Sequence, residues 1–158
     1  MQKKLFKLLE KKQLNISCFE SASAGYIAYR LAQSKYSGNI FVGSIVCYDA
    51  KIKENFLKVD HKLIQKYTPE SKQVTLELIK KGKKIIKSDI YISCTGLLRA
   101  GGSENKKKPI GTFFYSIFYK NKIYNFRVTL KGKPKIKLKK LFQNICKSLY
   151  LIITPNKC

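Results

Sequence analysis

Three short apolar runs constrain this chain more than any other feature. Residues 15–19, 40–47 and 89–94 have the length and the Ile, Val, Phe and Tyr content of strands, and each breaks off into small or polar residues. The first passes through Glu20-Ser21-Ala22-Ser23-Ala24-Gly25 into a helical pattern that reaches about Gln33. The second, read as a buried strand, stops at Tyr48, with Asp49 placed to cap a helix through Leu57. The third gives way to Thr95-Gly96 and a long polar loop from Arg99 to Pro109. Strands that alternate with helices in this way pair in parallel through helical crossovers. Ligands gather beyond the carboxyl ends of strands in such sheets, and all three junctions with suspicious chemistry fall there.

The rest of the chain fills in around these runs. Leu5, Phe6, Leu8 and Leu9 among lysines give an amphipathic first helix over residues 3–12. Residues 35–39 read as a turn, and Gly43 inside the second run suggests a bulge or a close backbone approach. Thr68-Pro69-Glu70 has the hydroxyl cap, proline and acid of a helix start, with the helix reaching about Lys87 and placing Val74, Leu78, Ile79, Ile85 and Ile86 toward one side. Residues 111–119 and 122–130 read as two strands joined by a tight turn at Lys120-Asn121. Leu138, Leu141, Phe142, Ile145 and Leu149 mark a last amphipathic helix. The expectation is an α/β protein: one domain over residues 1–158, a three-layer α/β/α arrangement with a mixed, mainly parallel sheet and a C-terminal hairpin plus helix.

Composition narrows the functional classes. Five scattered cysteines, with no C-x-x-C pair and a single histidine, His61, argue against a disulfide framework or a structural zinc site. Cys18, Cys47 and Cys94 lie in apolar strand patterns and read as small buried hydrophobes. No window offers the roughly 18 apolar residues of a membrane span, and the N-terminus lacks a secretory h-region, so a cytoplasmic protein with no membrane partner is expected. The net charge of +24 invites a nucleic-acid reading. Of the 33 basic residues, however, only Arg30, Arg99 and Arg127 are arginines, the side chain that reads phosphates and bases bidentately. Lysines spread along the whole length fit a compositional bias better, with non-specific polyanion binding at low salt as its consequence.

The junctions resemble one family in order. Glu20-Ser21-Ala22-Ser23-Ala24-Gly25 resembles the E-S-C-T-G-G motif of the C-terminal domain of the competence/damage-inducible protein CinA, whose stand-alone versions are nicotinamide-nucleotide amidases. Val46-Cys47-Tyr48, then Lys53 and Leu57-Lys58-Val59, resemble the family's V-T-Y-S-N-x-x-K…L-G-V segment at identical spacing. Thr95-Gly96, Gly101-Gly102-Ser103 and Lys108-Pro109-Ile110-Gly111-Thr112 resemble its S/T-G-I-A-G-P-x-G-G-S/T-x-x-K-P-V-G-T segment. The resemblance implies hydrolysis of nicotinamide mononucleotide to nicotinate mononucleotide and ammonia, without a metal, as part of pyridine nucleotide salvage. It implies Ser21 as nucleophile and Lys53 as general base, with Tyr48 against Lys53 or the pyridine ring. Glu20 would order the loop or pair with Lys53. Ser23, Ala24, Gly25, Thr95, Gly96, Gly101, Gly102, Gly111 and Thr112 would contact the small-molecule nucleotide substrate, and related domains self-associate, so a homo-oligomer is expected.

The residues themselves leave alternatives. A serine at a strand-to-helix junction is as readily a cap as a nucleophile, Lys53 is one lysine among many, and Tyr48 suits strand-end packing. The sequence also departs from the family pattern. Ala22, Ser23 and Ala24 stand for Cys, Thr and Gly, and alanine does not suit a positive φ. Leu97-Leu98-Arg99-Ala100 replaces I-A-G-P, and the family's arginine near the last helix has no clear match, Lys139 being nearby. Two rival functions therefore stand beside the amidase: a family member that binds a nucleotide or partner without turnover, and a basic nucleic-acid-associated protein.

Overall fold

β1 (Ile16–Glu20) is buried at every position and lies between two parallel neighbours, β2 (Phe41–Val46) and β3 (Ile90–Gly96). The computed structural model describes residues 1–154, so Cys158 lies outside the described residues. β4 (Thr112–Tyr119) pairs antiparallel with β3, and β5 (Lys122–Thr129) antiparallel with β4. The resulting mixed sheet has the order β2-β1-β3-β4-β5. The turn between β4 and β5 holds Lys120 and Asn121 at φ 48° and 60°, the left-handed pair of a type I′ hairpin.

Among the described residues seven helices flank the sheet: α1 (Gln2–Lys11), α2 (Tyr26–Ala32), α3 (Ser37–Ile40), α4 (Ala50–Asn55), α5 (His61–Tyr67), α6 (Lys72–Gly82) and α7 (Pro134–Ile153). On one face Leu5, Phe6 and Leu9 of α1, Ile27 and Leu31 of α2, and Leu141, Phe142, Ile145 and Leu149 of α7 pack on Ile16, Cys18, Ile92 and Cys94. On the other, Leu57, Val59, Ile64, Val74, Leu78 and Ile79 pack on Phe19 and Tyr91. Strand alternation sends Cys18 to the first layer and Phe19 to the second, which makes the domain three layers deep. The expected α/β/α architecture is therefore what folds, and Cys18, Cys47 and Cys94 are buried free thiols. No helix among the described residues is long and apolar enough to cross a membrane.

Four local readings are corrected. β2 is an edge strand, not a buried one: Val42 and Val46 are about half exposed because no strand among the described residues lies beyond them. Its ladder to β1 skips Val42 beside Gly43, so a bulge is present there, and bulges discourage a further strand from adding. Residues 37–40, within and beyond the expected turn, form the single-turn α3. Thr68 does not cap α6. It closes α5 at φ 68°, and Ser71, three residues on, accepts from Val74 N and starts α6. That helix stops at Gly82, which leaves Ile85 exposed. α5 itself was not expected, although Asp60 caps it by accepting from Lys62 N.

Candidate active site

The carboxyl ends of β1, β2 and β3 are laced together by main-chain bonds. Cys47 N–H donates to Glu20 O at 2.7 Å and Ser21 N–H to Cys94 O at 2.9 Å. Ser21 is thereby fixed between its neighbours' strand ends as it leaves the sheet. The chain then turns sharply, with Ala24 N–H donating to Ser21 O and Tyr26 N–H to Ser23 O. Ala24 and Gly25 are both left-handed, at φ 47° and 88°. Alanine thus adopts the positive φ it was expected to avoid, a strain of about 1–2 kcal/mol that a glycine would not carry.

Glu20 is wholly buried, and its carboxylate accepts from Ile27 N at 3.0 Å, Ala28 N at 2.8 Å and Ser44 Oγ at 3.2 Å. It caps α2 from the strand below and orders the loop that carries Ser21. Ser23 is buried, and its Oγ has no hydrogen-bond partner among the described residues.

Lys53 comes from the last turn of α4, a helix set by the Asp49 cap. It is only 1% exposed and donates from Nζ to the Tyr48 carbonyl at 3.0 Å. Burial pushes its ammonium below the ordinary lysine range, while Cys47, Glu70 and Asp49 pull it partly back up. The same burial raises the Cys47 thiol to about 11, so this cysteine stays protonated and unreactive.

One cleft joins the three junctions. Ser21 and Ala22 line it from β1, Tyr48 from the end of β2, and Gly96 to Gly102 from the loop after β3. It encloses about 180 Å³, or about 550 Å³ with its open mouth, room for a small ligand. Of the expected contact residues, Ser21, Tyr48, Gly96, Gly101 and Gly102 line this cleft. Lys53 lies behind Tyr48. Thr95 is buried with its hydroxyl against Thr75 Oγ1 at 2.8 Å, and Thr112 is buried against Thr129. Gly111 is required for a different approach: a Cβ there would lie 2.2 Å from Leu130 O, so this glycine seats the loop on the end of β5.

Three further residues shape the cleft without having been singled out. Glu70, between α5 and α6, lines the wall and accepts from Ser103 Oγ at 2.5 Å. Lys108 donates to Thr68 Oγ1 at 2.6 Å, Glu70 O at 2.9 Å and Ser103 Oγ at 2.6 Å, tying the glycine loop to the same connection. Lys137, not Lys139, is the buried lysine of α7, and its Nζ donates to Leu98 O at 2.8 Å. Its signal was legible: it stands one turn before Leu141 on the apolar stripe, where a lysine needs a partner.

Comparison with known proteins gives the family and the fold. The sequence model of the CinA C-terminal domain matches residues 1–150. A CinA-like protein of Pseudothermotoga lettingae is 36% identical over 118 residues, covering 74% of this chain and 29% of that protein. The chain thus spans about three-tenths of the length of such relatives. A protein of Mycoplasma genitalium is 29% identical over 147 residues, covering 92% of each. Crystal structures of a competence or damage-inducible protein from Enterobacter asburiae and of competence damage-inducible protein A from Klebsiella pneumoniae superpose with TM-scores of 0.88 and 0.89. Those two share 18% and 17% identity with this chain and cover 96% and 98% of it (95% and 98% of their own chains), so they speak to the fold.

Proposed function

The chain belongs to the CinA C-terminal domain family, and from that footing we propose that it is a nicotinamide-nucleotide amidohydrolase with Ser21 as nucleophile and Lys53 as general base. The observation that carries this reading is Lys53: a lysine 1% exposed, its ammonium destabilised by burial and its Nζ bonded to the carbonyl of Tyr48, which lines the same cleft as Ser21. Such a lysine reaches the neutral form below its ordinary pH and can take a proton from a serine hydroxyl. Ser21 attacks the carboxamide carbonyl, its proton passes to Lys53, and the tetrahedral oxyanion faces the Ala22 N–H on the cleft wall. Collapse releases ammonia with that proton. Water then attacks the acyl-serine ester with Lys53 again as base and frees the carboxylate product. Tyr48 holds Lys53 through its carbonyl and offers its exposed ring to the pyridine, while Glu20 acts by fixing the turn that presents Ser21.

Release of ammonia from nicotinamide mononucleotide tests the proposal. Wild type should release it, and Ser21→Ala and Lys53→Ala should each lose at least a hundredfold in rate, as general acid–base contributions of about 10²–10⁴ imply. Equal rates for wild type and Ser21→Ala would reject it. The second reading, a nucleotide-binding member without turnover, has one observation in its favour: the hydrogen bond of Lys53 runs to Tyr48 O and not to Ser21. It predicts nucleotide binding with no ammonia from any variant.

A further inference from the structure

The cleft is lined by a single carboxylate, Glu70, in a chain that carries 33 basic residues. Glu70 lies in the connection between α5 and α6, half-buried, with its carboxyl against the glycine loop. A Cβ on Gly102 would lie 3.7 Å from Glu70 Cδ. Ser103 Oγ donates to Oε2 at 2.5 Å, which fixes the side chain without neutralising it, and no donor among the described residues reaches Oε1. No cation neutralises it either: among the described residues the ion pairs engage Glu54 and Glu77 only. Lys108 comes near, but its Nζ is directed to Thr68 Oγ1, the Glu70 main-chain oxygen and Ser103 Oγ. Arg99, the one basic side chain on the lining, is exposed and forms no ion pair with Glu70.

The other acids around the strand ends each serve a local structure. Glu20 caps α2, Asp49 caps α4, and Glu104 holds the amides of Gly101 and Gly102. Glu70 has no such duty, because the start of α6 is capped by Ser71. A partly desolvated carboxylate with no counter-charge is a cost to the folded protein. In a binding cleft the counter-charge is what a ligand brings.

We propose that Glu70 sets the charge specificity of the cleft: with the exposed ring of Tyr48 it selects a ligand whose ring is cationic, an N-substituted pyridinium, over a neutral ring of similar shape. The ligand class is that of the nucleotide reading above, on which this rests. Tyr48 is 65% exposed and lines the same cleft, offering the π face that attracts a cation. An enclosed volume of about 180 Å³ is roughly 7 Å across, within the ~8 Å over which physiological salt screens charge. A cationic ring held anywhere in it therefore feels the carboxylate. That reach is already visible at Lys53, whose ammonium Glu70 helps to pull back up against the effect of burial.

Nicotinamide mononucleotide and its reduced, dihydropyridine form share ribose, phosphate and carboxamide and differ in the charge of the ring. Calorimetric titration of both into Ser21→Ala protein, at about 150 mM salt to screen the general positive charge, tests the selection without turnover. The quantity read is the ratio of the two dissociation constants. Ser21→Ala protein should prefer the cationic ring by about tenfold or more, the scale of one charged partner. Adding Glu70→Gln, which keeps the acceptor for Ser103, should remove most of that preference. Glu77→Gln deletes an equal charge from an acid paired with Lys80 and Lys81, and should leave the ratio alone. Ser103→Ala, which frees the Glu70 side chain but keeps its charge, should leave it alone too. Equal binding of the two forms, or a ratio that Glu70→Gln does not change, overturns the proposal. So does an effect as large from Glu77→Gln, the mark of bulk charge, or from Ser103→Ala, the mark of loop placement. A preference that stands while wild type releases no ammonia from nicotinamide mononucleotide rejects the amidase and leaves the charge selection in place.

Discussion

If Lys53 is the base proposed above, one buried amine ties rate and stability to the same proton. Only its neutral form can act as base, so kcat/KM should rise with pH to a plateau whose apparent pKa lies below the ordinary 10.5, and a pH–rate profile measures this directly. Stability follows the same direction. The folded state binds the Lys53 proton more weakly than the unfolded chain, so folding is favoured as pH climbs from the lowered folded value toward 10.5. Below that window the buried ammonium is a constant cost. Lys53→Met should therefore abolish ammonia release while raising stability at pH 7 by about 1 kcal/mol in urea denaturation, an exchange common at active sites. Ala24 is the converse case, a residue strained without an evident chemical duty. Ala24→Gly should stabilise by about 1 kcal/mol by removing the left-handed penalty, measured in the same titration.

At the scale of elements, the turn that bears Ser21 is held by Glu20 more than by any cap of its own. Gly25, the N-cap of α2, has no side chain to offer, and Glu20 supplies the two amides from the preceding strand. Glu20→Ala should cost about 1–3 kcal/mol and lower activity, while Asp49→Ala, an exposed cap on α4, should cost about 1 kcal/mol. Thermal unfolding of the two variants separates them. How far the elements could be read from sequence follows from where their information lies. β1 and β3 were legible because both faces are buried and their residues are apolar throughout. β2 misled because an apolar run carries no mark of whether a further strand lies beside it. Thr68-Pro69 misled because a threonine that closes one helix and a serine that opens the next have the same side-chain chemistry. In the cleft, Ser21, Tyr48 and Gly96 were legible because strand ends point to them. Glu70, which reaches the cleft through the packing of α5 and α6, has no local pattern that announces it.

Across the whole molecule the dominant quantity is charge. A net +24 spread over most solvated faces should attract polyanions through charge alone. Affinity for duplex DNA should accordingly be measurable at about 20 mM salt and fall by orders of magnitude by about 200 mM, with no sequence preference in competition binding. Lysine is absent from residues 13–34, 36–50 and 88–105, the stretches that build the three strand ends and the cleft loop. Long-range attraction thus belongs to the helices and the hairpin, and recognition to the interior.

The order β2-β1-β3-β4-β5 places a late-arriving strand at the centre. β3 begins at Ile90, and it is the partner both of β1, more than seventy residues behind it, and of β4 ahead. A chain still being synthesised can fold α1, α2 and the β1–β2 pair, yet Ser21 gains its fixed position only when Cys94 arrives to accept its amide. Closing that long loop is the slow, entropically costly part of assembly. Ser21, the proposed nucleophile, is then among the last parts to be set, and labelling of it by an acylating probe during refolding would time the completion of the sheet itself.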